Sequence, residues 1–231
     1  MQNLKPMKNR TSVLLHLLFI IIVAVELTGR ITGNINIEYP VKPLIMIWMA
    51  VYFLRFRKKQ EMTKPVLLAL FFSWVGDIFL MFSHLGETFF FAGVGGFFLA
   101  QLSYIYVFTK YSENGSRGYL ERNLIIGFLF LGYAAGIVYL LYPGLEGLMK
   151  PVIMIYALSL IGMSMMALNR NGRVNRTSYL LVFLGSVLFV LSDSMIALDR
   201  FFREIPMSGF WIMLTYISAQ YMIVRGLILE E

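Results

Sequence analysis

Eight apolar stretches divide this chain, each about long enough to cross a bilayer. No other sequence feature constrains the fold as much. A helix needs roughly 20 residues to cross ~30 Å of hydrocarbon. The stretches run approximately over 12–28, 41–55, 65–83, 88–109, 122–142, 147–168, 177–199 and 208–227 of 231 residues. Eight such spans use about 160 residues, so the rest suffices only for short loops and tails. The expected architecture is an all-α integral membrane protein with eight transmembrane helices, a single membrane domain over 1–231. Only 14% of residues are charged, against about 25% in a soluble domain, which argues against a soluble fold. The net charge of +7 then reads as loop cations beside anionic headgroups rather than a nucleic-acid surface. Lys5, Lys8 and Arg10 precede the first apolar run as in a signal peptide. The run is long and lacks a small-x-small cleavage site, so a retained first helix is expected.

Loop charges give an orientation. The N-terminal tail, the loops after spans 2, 4 and 6, and the C-terminal end carry 15 Lys and Arg, including Arg55, Lys59, Arg117, Arg170 and Arg225, against 5 on the other side. By the positive-inside rule both termini are cytoplasmic. The seven prolines are placed in the tail, in loops or in first helical turns, which suits uninterrupted helices. Gly132-Tyr-Ala-Ala-Gly136 matches the small-xxx-small packing pattern. It is read as close packing within the bundle, with a homodimer left open.

The halves resemble each other. Lys42-Pro-Leu-Ile-Met-Ile-Trp48 and Lys150-Pro-Val-Ile-Met-Ile-Tyr156 share five of seven residues at an offset of 108, and Gly76-Asp77 answers Ser192-Asp193 at an offset of 116. A parallel four-plus-four internal repeat is expected, with halves of about 1–110 and 111–231.

Chemistry is sought among polar groups inside the spans. There is no cysteine and there are two histidines, which leaves no Cys site and little basis for zinc; no metal and no cofactor are expected. Of the thirteen acids, eleven fall in loops, tails or near span ends, Glu26 among them. Asp77 and Asp193 lie within spans, where charge is costly and usually functional. Each precedes the expected outer end of its span by six residues, about 9 Å, so the two share one level. Two carboxyls in an apolar interior do not both ionise easily, and such a pair can supply a general acid and a general base. A pair of structural tethers is the alternative. His16 is read as packed in the first span and His84 as a loop residue.

The motifs Ser73-Trp-Val-Gly76-Asp77-Ile-Phe-Leu80-Met, Phe91-Ala-Gly93, Phe97-Phe-Leu-Ala-Gln101-Leu-Ser-Tyr104, Lys42-Pro43-Leu44, Tyr156 with Met163, and Phe189-Val-Leu-Ser192-Asp193-Ser resemble the YhhN-like family of integral membrane proteins. The resemblance implies a lysoplasmalogenase: a hydrolase that cleaves the vinyl-ether bond of a lysoplasmalogen to a fatty aldehyde and a glycerophospho-alcohol. It implies Asp77 and Asp193 as catalytic groups. Gln101, Tyr104, Tyr156 and Ser192 are expected to bind substrate, and Lys42, Lys150 and Arg200 to meet its phosphate. Gln101 stands where the family usually has His, so proton transfer is not expected there, and a hydrogen bond is. The implied partners are a lysophospholipid and membrane lipids, in the cell membrane (the inner membrane in a bacterium). A proton-coupled transporter and a lipid-binding membrane protein are the competing readings.

Overall fold

The computed structural model describes residues 4–58, 60–110 and 118–230. Lys59 and Arg117, counted above among the loop cations, lie outside the described residues. The regular structure within them is helical throughout: α1 (Leu4–Thr32), α2 (Ile35–Phe56), α3 (Thr63–Met81), α4 (Glu87–Lys110), a four-residue α5 (Tyr119–Arg122), α6 (Leu124–Leu141), α7 (Met149–Leu168), α8 (Arg176–Phe201) and α9 (Ser208–Ile228), with 3-10 turns at Ser83–Leu85 and Tyr142–Gly144. All but α5 are long and apolar enough to cross a membrane, giving eight such helices. The protein is therefore a multi-pass membrane protein, as the periodicity-free apolar runs predict.

Most boundaries match the sequence reading within a few residues, and α2 does not. It begins at Ile35 because Asn34 caps it, the side chain accepting from the Asn36 N–H at 3.1 Å. Such a cap satisfies a donor that the first turn would otherwise leave free. Pro40 and Pro43 therefore lie inside α2, not in a loop or a first turn as expected. Each lies beyond the first four residues and so removes one i→i−4 backbone bond from the helix. The early start also buries Lys42 within its helix, whereas Lys150 stays at the start of α7. The ends of the two Asp helices differ too. α3 stops at Met81, four residues beyond Asp77, and α8 continues to Phe201, eight beyond Asp193. Asp199 stays helical and its carboxylate accepts from the Ile205 N–H at 2.7 Å, which closes the turn beyond α8.

Helix association in lipid depends on close packing, because lipid tails are as apolar as leucine. The most extensive contacts are α3 against α4 and α8 against α9, and glycine makes both possible. A Cβ at Gly96 would lie 2.8 Å from the Gly76 nitrogen, and one at Gly185 would lie 2.9 Å from the Ala219 carbonyl oxygen. Gly96→Val should therefore force α3 and α4 apart, seen as loss of folded protein in detergent or a sharply lowered Tm. Gly95→Ala, which would meet nothing within 4 Å, should leave Tm unchanged. Gly132 and Gly136 also meet nothing within 4 Å. Their spacing is not used for packing inside the bundle, which corrects the sequence reading.

α1 packs through rings. Phe19 stacks on Trp48 with centroids 4.2 Å apart, and the Trp48 indole N–H donates to the Leu15 carbonyl at 2.9 Å. His16 sits edge-on to Tyr52 at 5.3 Å, with Nδ1 2.6 Å from the Ser12 carbonyl oxygen, a packed position as the sequence suggested. Two charges read as ordinary are fully buried. Arg170, taken for a loop cation, is 1% exposed and meets Glu230 at 2.6 Å and the Ser178 hydroxyl at 3.1 Å. Glu26, taken for a span-end acid, is 0% exposed and accepts from Arg30 Nε at 3.1 Å. An opposite charge within hydrogen-bonding distance makes burial tolerable in each case.

Candidate active site

The helix pairs bring Asp77 and Asp193 into one buried polar cluster. Both side chains are nearly inaccessible, at 3% and 7% residue exposure. Their partners differ in kind. Asp77 Oδ1 is 3.4 Å from the Lys42 ammonium, and Oδ2 accepts from the Tyr216 hydroxyl at 2.8 Å. Asp193 Oδ2 accepts from the Tyr156 hydroxyl at 2.5 Å and from Gln101 Nε2 at 3.4 Å. One acid is paired with a cation, and the other is held only by neutral donors.

The supporting residues fix these donors. Gln101 Oε1 accepts from the Ser159 hydroxyl, which orients the amide so that its N–H faces Asp193. Tyr104 lies deeper in the network than expected: its hydroxyl donates to Gln220 Oε1 at 2.6 Å, and Gln220 Nε2 donates to Ser73 Oγ at 3.0 Å, one turn before Asp77. Ser192 uses its hydroxyl on the Ile212 carbonyl at 3.1 Å, tying α8 to α9. Tyr216, Gln220, Ser159 and Arg30 were not singled out from the sequence. A signal existed for two of them. Only two of the chain's four glutamines, Gln101 and Gln220, lie inside spans, and Tyr216 precedes Gln220 by one helical turn, on the same face.

Two cavities meet at this cluster. A small void of ≈ 60 Å³ is lined by Asp193, Tyr156 and Ser194 and otherwise by apolar groups such as Phe97, Val94 and Leu160. Beside it lies a vestibule of ≈ 190 Å³ lined by Arg30, Lys42, Arg200, Asp199 and Ser83. Leu80, Phe90 and Ile196 line both, so the two are neighbours. Asp77 lines neither. The vestibule cations are unequally engaged. Arg30 bridges Glu26 at 3.1 Å and Glu38 at 2.9 Å, and Lys42 faces Asp77. Arg200 makes no ion pair among the described residues, and its guanidinium lies 4.0 Å from the Phe90 ring centroid. Lys150 is elsewhere, 4.6 Å over the Tyr142 ring. Among the described residues no group of three or more His, Cys, Asp or Glu could hold a metal.

The profile of the YhhN family matches residues 37–227. The chain belongs to the YhhN family. The match includes Lys42, both aspartates and every partner of either. Lysoplasmalogenase TMEM86A of Bos taurus is 30% identical over 188 residues, covering 78% of this chain and 73% of that protein. No solved structure matches the chain.

Proposed function

We propose that this YhhN-family protein is a membrane lipid hydrolase that cleaves the vinyl-ether bond of a lysoplasmalogen, with Asp193 as the proton donor and Asp77 as a permanent anion. The observation that carries the reading is the contrast between the two acids: Asp193 lines the void and is held by neutral donors, whereas Asp77 faces a cation. Burying an unpaired charge is costly, so a carboxyl held only by Tyr156 and Gln101 rests as the neutral acid. A carboxyl facing Lys42 rests as the anion. The relationship to lysoplasmalogenase TMEM86A supports the substrate class.

A vinyl ether resists base but reacts once its outer alkene carbon is protonated. Both donors converge on Asp193 Oδ2, which leaves Oδ1 to deliver the proton into the void. Protonation places positive charge on the ether carbon as an oxocarbenium ion. The anion at Asp77 favours the cation once formed. Water from the vestibule then adds to that carbon and gives its proton to the Asp193 carboxylate. The resulting hemiacetal collapses to the fatty aldehyde and the free glycerol hydroxyl, so one water is consumed and Asp193 is restored. Paired carboxylates meet an oxocarbenium-like state in the same way in glycosidases. Arg200, with Lys42 and Arg30 beside it, receives the phosphate, and Tyr156 and Gln101 position Asp193.

The four-plus-four repeat, cytoplasmic termini and an outward-facing vestibule belong to the same proposal. The repeat is supported by a crosswise exchange, in which Gln101 of the first half bonds Asp193 of the second and Tyr216 of the second bonds Asp77 of the first; the orientation rests on the loop charges.

Purified protein in detergent, given lysoplasmalogen and its ester and alkyl-ether analogues, should release aldehyde from the vinyl ether alone. No aldehyde under conditions where the protein is folded, or cleavage of the ester, would overturn the reading. Turnover without a sealed membrane also separates an enzyme from a carrier.

A further inference from the structure

A third cavity adjoins the site from the side. It is an apolar groove of ≈ 610 Å³ between α6 and α7, lined by Leu131, Ala135, Val138, Met154, Ala157 and Leu158 among others. Ala157 lines this groove and also the void at Asp193. Tyr156, the residue before it, bonds Asp193. The three cavities therefore follow one another: cationic vestibule, reactive void, apolar groove. Ala157 is the lining residue that the last two share.

We infer that the α6–α7 groove holds the hydrocarbon tail of the lipid substrate, and that Ala157 is the sill over which the tail enters and the aldehyde product leaves into the bilayer. This rests on the hydrolase reading and adds the route to it. Three observations choose the occupant. The first is continuity, since a lipid lying with its ether bond at Asp193 and its phosphate at Arg200 must direct its tail away from the vestibule, and the groove lies that way. The second is matched character, with cations at one end and apolar groups at the other. The third is the looseness of the groove's wall. Only 11% of the most apolar window of α6 is buried, against 44% for α7 and α8. α6 is tied to α8 by one hydroxyl pair, Tyr133 to Ser194 at 2.9 Å, and Ser194 itself lines the void. A helix held this lightly can move aside to admit a chain. The void at the sill is ≈ 60 Å³, room for part of one chain.

The test has two arms. The first needs no turnover. A non-hydrolysable alkyl-ether lysophospholipid with a diazirine in the middle of its tail is photolysed with the wild-type protein in detergent, and labelled peptides are mapped by mass spectrometry. Labels should concentrate on the α6 and α7 residues of the groove and fall when Ala157→Trp is introduced. Labels spread evenly over the lipid-facing helices, as annular lipid alone would give, overturn the proposal. The second arm compares kcat/KM for long-chain and four-carbon alkenyl substrates. Ala157→Trp should lower the long-to-short ratio by about tenfold or more, within the range that pocket fit commands. Leu158→Trp lines only the groove, is lipid-facing at 58% exposure, and should shift the ratio the same way even if Ala157→Trp fails to fold. An unchanged ratio overturns the proposal. Wild-type protein that cleaves neither substrate overturns the hydrolase reading instead, and the labelling pattern still decides the groove.

Discussion

Asp193→Asn should cut aldehyde release by about 10³-fold, the scale of a lost general acid, and leave Tm nearly unchanged. The second half of this expectation is what gives the variant its value. The substitution exchanges one neutral side chain for another of the same shape if Asp193 rests protonated. Asn can still accept from the Tyr156 hydroxyl, so the surrounding bonds survive. Only the transferable proton is removed. A variant that keeps near-wild-type turnover would eliminate Asp193 as the acid. A variant that fails to fold would show that the site holds a carboxylate at rest, and the assignment of roles would then reverse.

Asp77→Asn should behave differently, and the difference is measurable without substrate. Lys42 is 8% exposed and faces Asp77 at 3.4 Å. Removing the anion leaves an ammonium buried without its partner, and breaking one side of a buried pair costs about 3–5 kcal/mol. Asp77→Asn should therefore lose stability together with turnover. The double variant Asp77→Asn with Lys42→Met removes both charges and should recover most of the lost Tm, since a buried pair replaced by apolar groups is often neutral. Turnover should not return with it. Additive losses in the double variant would mean that the pair is not coupled in the folded protein. Recovery of turnover along with stability would reduce Asp77 to a counter-ion for Lys42.

The two aspartates were legible in the sequence because a charge inside an apolar span has few cheap explanations. Their inequality was not. It depends on where α2 begins, and the residue that decides this is Asn34, whose side chain caps the helix about two turns before the second apolar run. The sequence symmetry of Lys42 and Lys150 predicts two equivalent cations, yet only Lys42 is carried into the bundle beside an acid. Tyr216 and Gln220 were missed for a different reason. A tyrosine or amide in a span has many ordinary uses, and what marks these two is a partner on another helix, which no local pattern records. The cavities were beyond reach of the sequence altogether, since they are spaces between helices. Ala157 is an unremarked small residue until two voids are found on either side of it.

The crosswise bonding has a consequence for biosynthesis. Spans enter the membrane in order from the N-terminus. Asp77 can meet Lys42 once α2 and α3 are inserted, but the hydroxyl that completes its shell belongs to Tyr216, and the amide that anchors Ser73 one turn away belongs to Gln220. Both arrive with α9. Asp193 meanwhile emerges after its donor Gln101 is already in place. The first acid therefore waits, partly dressed, through synthesis of the next 139 residues, and the site is assembled only when α9 closes against α8.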